Sequence, residues 1–258
     1  MQADLKVFSA FRVYGAGVLT ALTAQNTGGV RAIANLDPAF VVAQLEAVLD
    51  DLEVAAAKTG MLSRVGVVEA VASLLSARPI ENLVVDPVMV ASAGDRLLAE
   101  EAVETLRRRL IPLARLVTPN LPEAEVLTGL RIDCVAAMRD AARALVDFGA
   151  HAALVKGGHL ESSEAQSGDS IDVLYDGDSF HEFCAPRIAT TSTHGTGCTL
   201  SAAITAGLAL GADLRSAVAA AKDYLTCAIA TAPGLGHGHG PLNHFARTDR
   251  AEKSVKSK

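Results

Sequence analysis

Short apolar runs recur along the chain with helix-period stripes between them, and this alternation constrains the fold more than any other feature. Asp37 and Pro38 offer a cap and a first-turn proline, and Val41, Leu45, Val48 and Leu52 follow at spacings of three or four, so a helix starts there. Residues 55–62 (AAAKTGML) then read as strand into loop, Val65–Ala77 as helix, and residues 82–89 (NLVVDPVM) as strand into loop again. The rhythm continues with a helix over 100–110, a strand over 116–118, the loop PNLPEAE, a helix over 135–148 and a strand and loop over 153–159 (ALVKGGH). Ahead of all these, a short helical opening precedes residues 15–22 (GAGVLTAL), which read as a buried strand ending in the polar loop AQNTGG. Alternation of this kind predicts a parallel sheet covered by helices on both faces.

One stretch departs from it. IDVLY and SFHEF flank Asp176-Gly177-Asp178, a hairpin signal that makes part of the sheet antiparallel. Helices over 196–210 and 214–230, the second capped by Asp213, close the core. The expectation is a single α/β domain over 1–246, followed by a charged, disordered tail over 247–258.

Composition excludes several classes. The 23 basic and 29 acidic residues leave a net charge of -6 and no basic stripe, so a nucleic-acid partner is not expected. The four cysteines include no C-x-x-C pair, and neither a zinc site nor a disulfide framework is indicated. No run of about 18 apolar residues is uninterrupted, and Met1-Gln2-Ala3-Asp4 is not a leader, so a cytoplasmic protein without a membrane partner is expected.

The chemistry concentrates in THGTGCTLSAA, residues 193–203, directly ahead of an alanine-rich helix. One reading is a plain helix start in which Thr193 or Thr196 caps free amides. The other is an anion site, where Gly195 and Gly197 let the backbone approach a phosphate and the amides of Thr196, Gly197 and Cys198 point at it. The strand-helix order places AQNT, KTGM, DPVM, PNLPEAE, VKGGH and THGTGCT together beyond the carboxyl ends of the strands, which favours the anion site. Neither G-x-x-x-x-G-K-[ST] nor a strand followed by G-x-G-x-x-G is present.

In this order and spacing, QADLK, TALTAQNT, KTGML, DPVM, TPNLPEAE, VKGGH, THGTGCTLSAA and GHGHGP resemble the bacterial hydroxymethylpyrimidine and phosphomethylpyrimidine kinases of thiamine biosynthesis. These belong to the ribokinase-like superfamily, and the likeness runs from Gln2 to about Phe245. It implies a three-layer α/β/α fold and transfer of phosphate from ATP, with Mg²⁺, to a small pyrimidine alcohol and then to its monophosphate, by a homodimer. A pyridoxal kinase of the same branch and a non-catalytic ligand-binding relative are the alternatives.

The resemblance implies roles residue by residue, each with a plainer reading beside it. The amides of Gly195, Thr196 and Gly197 would hold the phosphoryl group, and Cys198 would accept the hydroxyl proton, a helix N-terminus lowering its pKa; otherwise it is packing. Lys156 would sit by the ATP phosphates, or snorkel from a strand end. Glu123 would help hold magnesium through water, or simply favour a helix N-terminus. Asn120 and Asp86 would line the nucleotide side, although both residue types form turns. For the acceptor, Gln25 offers the donor and acceptor pair an aminopyrimidine needs. Met61 and Val88 would pack on the ring or in the core, and Asp4 would stand near the acceptor hydroxyl or on the surface. The GHGHGPLNH stretch, with His237, His239 and His244, fits a loop near the nucleotide or a subunit contact better than a metal site.

Family members carry an apolar strand and a glycine-rich loop ahead of QADLK that this sequence lacks. The expectation is a chain that starts upstream or is mis-started, leaving unmatched strands inside the sheet.

Overall fold

A computed structural model of the chain describes residues 1–90, 94, 97–158, 160 and 168–246; the tail expected over 247–258 lies outside them, as does His159. Six strands form one sheet: β3 (Ala57–Thr59), β4 (Leu83–Val85), β5 (Leu116–Val117), β6 (Ala153–Gly157), β7 (Asp169–Tyr175) and β8 (Phe180–Pro186). They lie side by side in sequence order, parallel from β3 to β6 and antiparallel from β6 to β8. The hairpin read from Asp176-Gly177-Asp178 joins β7 and β8, and Asp176 Oδ1 accepts from the amides of Asp178 and Ser179. Gly157 permits the reversal: a side chain there would strike the Ile171 carbonyl of β7.

The pleat sorts the core into two layers. Leu83, Val85, Val117, Val155 and Val173 face one cluster, while Val84, Leu116, Leu154 and Leu174 alternate onto the other. The first cluster is closed by α2 (Pro38–Asp51), α3 (Val65–Ala77), α4 (Glu100–Thr105), α5 (Leu121–Thr128) and α6 (Val135–Asp147). The second is closed by α1 (Gln2–Ala10), α7 (Thr196–Ala209) and α8 (Leu214–Ala230). This is the three-layer α/β/α arrangement, with a mixed sheet. Asp37 and Asp213 cap α2 and α8 through their side chains, as the sequence indicates.

Three expectations need correction. Residues 15–22 are not a buried strand: the chain stays irregular to Thr20, and Ala21–Asn26 forms β1, which pairs antiparallel with β2 (Gly29–Asn35) as a separate, largely exposed hairpin. Gly15 and Gly17 lie so close to Phe8 and Met1 of the opening helical segment that a side chain at either would collide, so packing on α1 replaces strand pairing. PNLPEAE is not all loop, because Asn120 and Glu123 form a reciprocal capping box that starts α5 within it. The helix over 100–110 changes at Leu106–Leu110 into a π turn and then a 3₁₀ turn at Ile111–Leu113, where Pro112 cannot donate. Among the described residues the sheet ends at β3, whose outer edge pairs with no strand.

Candidate active site

All six polar loops reach one cavity of about 1420 Å³, and every candidate residue from the sequence lines it. At its centre is the start of α7. Gly195 precedes the helix in the left-handed region (φ 80°), and no side chain caps the helix. The plain reading, a threonine cap, is therefore not realised. The Thr196 amide turns back to the Thr193 carbonyl at 3.3 Å, so it is not free for an anion as expected. The amides of Gly197 and Cys198 belong to the first helical turn, which has no intrahelical acceptor to offer them. A β-carbon on Gly197 would stand 3.1 Å from Lys156 Nζ, so glycine keeps the lysine and the helix start in contact.

Behind this turn lies a ladder of buried charges. Asp86, just past β4, is only 2% exposed. Its Oδ1 meets Lys156 Nζ at 3.3 Å, and its Oδ2 accepts from Ser201 Oγ at 3.0 Å and lies 4.0 Å from Lys58 Nζ. Lys58, on β3, continues the ladder to Asp4 Oδ1 at 3.1 Å, and Asp4 Oδ2 meets the Met1 amino group at 2.7 Å. Burial alone would discharge both lysines. Cys198, Asp4 and Asp86 outweigh it at Lys58, and Asp86 and Glu123 at Lys156, raising both ammoniums above their ordinary value, so they stay charged. Asp4 is thus no surface residue in a first turn: burial would raise its carboxyl, yet Lys58 and the Met1 amine hold it below the ordinary range.

Asn120 and Glu123 sit beside the ladder, Asn120 forming a backbone bridge with Lys156. Asn120 Oδ1 accepts from the Glu123 amide at 2.9 Å, and Glu123 Oε2 from the Asn120 amide at 2.9 Å. The Met89 amide donates to Glu123 Oε1 at 3.4 Å. Burial, with Asp86 nearby, raises the Glu123 carboxyl despite the attraction of Lys156. The helix-start role of both residues is real, and it leaves part of each carboxylate oxygen's accepting capacity unused.

Cys198 faces the cavity, partly exposed. Its electrostatics reverse the expectation drawn from the helix N-terminus. Burial pushes the thiol up, the Lys58 ammonium opposes that, and the carboxylates of Asp86 and Asp4 reinforce it. Its thiolate is scarcer and more basic than a helix start alone would make it.

Gln25 is exposed on β1, and Met61 and Val88 are half-buried in the lining of the same cavity. The GHGHGP loop was harder to place from sequence. It clasps the turn of the β1-β2 hairpin: the His239 amide donates to the Thr27 carbonyl at 2.8 Å and the His237 amide to Thr27 Oγ1 at 3.3 Å. The same loop holds the turn ahead of α7, since Thr193 Oγ1 meets His239 Nδ1 at 2.8 Å and the His194 amide donates to the Gly240 carbonyl at 3.0 Å. Lys58 and Ser201 were not singled out in the sequence. A lysine inside a strand-like AAAKTGML run was the available signal, because a buried ammonium requires carboxylates around it.

A family model described as phosphomethylpyrimidine kinase matches residues 1–243. The chain belongs to that family. A hydroxymethylpyrimidine/phosphomethylpyrimidine kinase of Rhizobium meliloti is 52% identical over 250 residues, covering 96% of this chain and 92% of that protein. A thiamine biosynthesis bifunctional protein of Geobacter sulfurreducens is 52% identical over 245 residues, or 95% of this chain, and this chain spans about half (49%) of its length. Among solved structures, an ADP complex of Bacillus subtilis pyridoxal kinase superposes with a TM-score of 0.85 at 37% identity, covering 95% of this chain and 92% of that one. The family's ribokinase-like architecture and the three layers described above agree.

Proposed function

We propose that this phosphomethylpyrimidine kinase family member transfers the γ-phosphoryl group of ATP to the hydroxymethyl oxygen of 4-amino-5-hydroxymethyl-2-methylpyrimidine, and then a second phosphoryl group to the monophosphate. The observation that carries the reading is the uncapped, glycine-led start of α7 beside Lys156, in a cavity shared with Gln25 and Cys198. Phosphoryl transfer calls chiefly for positioning and charge neutralisation, and this turn supplies both. The Gly197 and Cys198 amides receive the equatorial oxygens, and Lys156, fixed by Asp86, balances the charge as the bond to the β-phosphate breaks.

The acceptor side follows from the same geometry. Gln25 presents an amide to the ring nitrogen and exocyclic amine, with Met61 and Val88 against the ring faces. As the acceptor oxygen bonds to phosphorus, its proton passes to the Cys198 thiolate, and ADP leaves. The donor set fits a hydrated Mg²⁺: Glu123 is a hard oxygen donor whose burial beside Asp86 favours a nearby cation. When bound, the ion would neutralise phosphate charge, held through water by Glu123 with Asn120 beside it.

A second reading, a pyridoxal kinase, draws on the Bacillus subtilis neighbour. The test offers each alcohol with ATP and follows products by phosphorus NMR. Stepwise formation of a pyrimidine monophosphate and diphosphate supports the proposal. Phosphorylation of pyridoxal alone supports the second reading, and neither product refutes both.

A further inference from the structure

The charge ladder contains one cation with no place in the transfer just described. Lys58 is 4% exposed, does not belong to the anion turn, and is held from two sides by Asp4 at 3.1 Å and Asp86 at 4.0 Å. A lone buried pair needs one carboxylate per ammonium. Here Asp4 already has the Met1 amine at 2.7 Å, and Asp86 already has Lys156 at 3.3 Å and Ser201 at 3.0 Å. Lys58 therefore shares both of its carboxylates with other donors. It also lines the cavity together with Cys198. Gly60, two residues on, is where a β-carbon would come within 3.3 Å of the ammonium, so the loop after β3 leaves that space open.

Each group facing Cys198 can be placed. Asp4 comes from α1 and the Met1 amine from just ahead of it, Lys58 from β3, Asp86 from just past β4 and Lys156 from β6. Two carboxylates oppose ionisation of the thiol. Of the charged groups around the thiol, Lys58 acts most strongly on it, and Cys198 in turn acts most strongly on Lys58. Lys156 is committed to Asp86 and to the entering phosphoryl group.

We infer that Lys58 is a positioning residue for the transfer, whose ammonium, fixed between Asp4 and Asp86, is the counter-charge that lets Cys198 carry the thiolate able to take the acceptor's proton. The inference rests on the kinase reading for its purpose, but not for its test. No covalent step involves Lys58, which keeps its own protons throughout. The arrangement also explains why a lysine stands in a strand buried at its end of the sheet: the site needs a fixed positive charge on the acceptor side as well as on the phosphate side.

The test measures iodoacetamide alkylation of the Cys198 peptide by mass spectrometry between pH 6 and 11, without substrate, in the full chain. Lys58→Met removes the charge, Lys58→Met with Asp4→Asn removes it while relieving the carboxylate left behind, and Lys58→Arg retains it. Loss of the charge should raise the alkylation midpoint by about one pH unit or more, with Lys58→Arg near wild type. The alkaline limb of the turnover profile should move in the same direction. An unchanged midpoint in folded Lys58→Met, or a double variant whose midpoint is no higher than that of Asp4→Asn alone, overturns the inference. So does failure of both methionine variants to fold while Lys58→Arg folds, which assigns Lys58 to folding alone. Absence of any phosphoryl transfer in wild type defeats the kinase reading and leaves the alkylation result standing.

Discussion

The His239 amide donates to the Thr27 carbonyl at 2.8 Å, tying the glycine-rich loop to the turn of the hairpin that carries Gln25. Gly238 makes the approach possible, because a β-carbon there would overlap the Thr27 carbonyl, a backbone atom that cannot swing aside. The loop also holds Thr193 and His194 just ahead of α7, so the β1-β2 hairpin and the start of α7 are joined through it. Gly238→Ala should cost about 1–3 kcal/mol of stability and raise the acceptor KM several-fold more than the ATP KM. Urea unfolding and steady-state kinetics with each substrate varied will check both.

Cys198 sets a pH signature. Burial holds its thiol above the ordinary 9.0 despite Lys58. Turnover at limiting acceptor should therefore climb with pH through neutrality towards that range. Cys198→Ala should lower turnover by about 10²–10⁴-fold, and Cys198→Asp should retain part of it with the climb flattened. A pH-rate profile of the three proteins reads this out.

Asp86 anchors two ammoniums and two hydroxyls while 2% exposed. Removing it takes the ion-pair partner from buried Lys156 and one of two carboxylates from buried Lys58. Asp86→Ala should destabilise the fold by about 3–5 kcal/mol, well beyond an exposed pair such as Arg78 with Asp50, whose loss should cost at most about 1 kcal/mol. Chemical denaturation of both variants gives the comparison.

His244 is buried against Thr199 Oγ1 (3.2 Å), and burial, with Lys6 adding, lowers its pKa below 6.5. The neutral ring is thus favoured in the folded state. Its stabilising contribution is complete above the unfolded value and is lost as pH falls from about 6.5 through the lower folded value. His194, lowered mainly by burial, acts in the same direction. Melting temperature should fall between pH 7 and 5, and His244→Gln should flatten that fall.

Much of this was legible in the sequence, for physical reasons. Helices with a side-chain cap and an apolar stripe, such as α2 behind Asp37 and α8 behind Asp213, announce both boundary and face. Strands of two or three residues, such as β5, are fixed by sheet context, and only their apolar runs showed. The segment 15–22 misled because small apolar residues suit a strand and also suit close packing on α1, and periodicity cannot separate them. The loops' convergence followed from the order of strands and helices. The charge ladder did not, since Asp4, Lys58, Asp86 and Lys156 are 70 or fewer positions apart along each step and meet only through tertiary packing. The role of GHGHGP depends on Thr27, some 210 residues away.

The central claim is that the start of α7 grips the phosphoryl group in flight. Its most direct measurement is acceptor-dependent ADP release in wild type and in Gly197→Ala, whose added methyl would stand 3.1 Å from Lys156 Nζ. The account predicts release that requires the pyrimidine alcohol in wild type, and at least a roughly hundredfold loss in the variant with its melting temperature nearly unchanged. Wild type that releases no ADP with the alcohol, or a Gly197→Ala protein that turns over as fast as wild type, would contradict it.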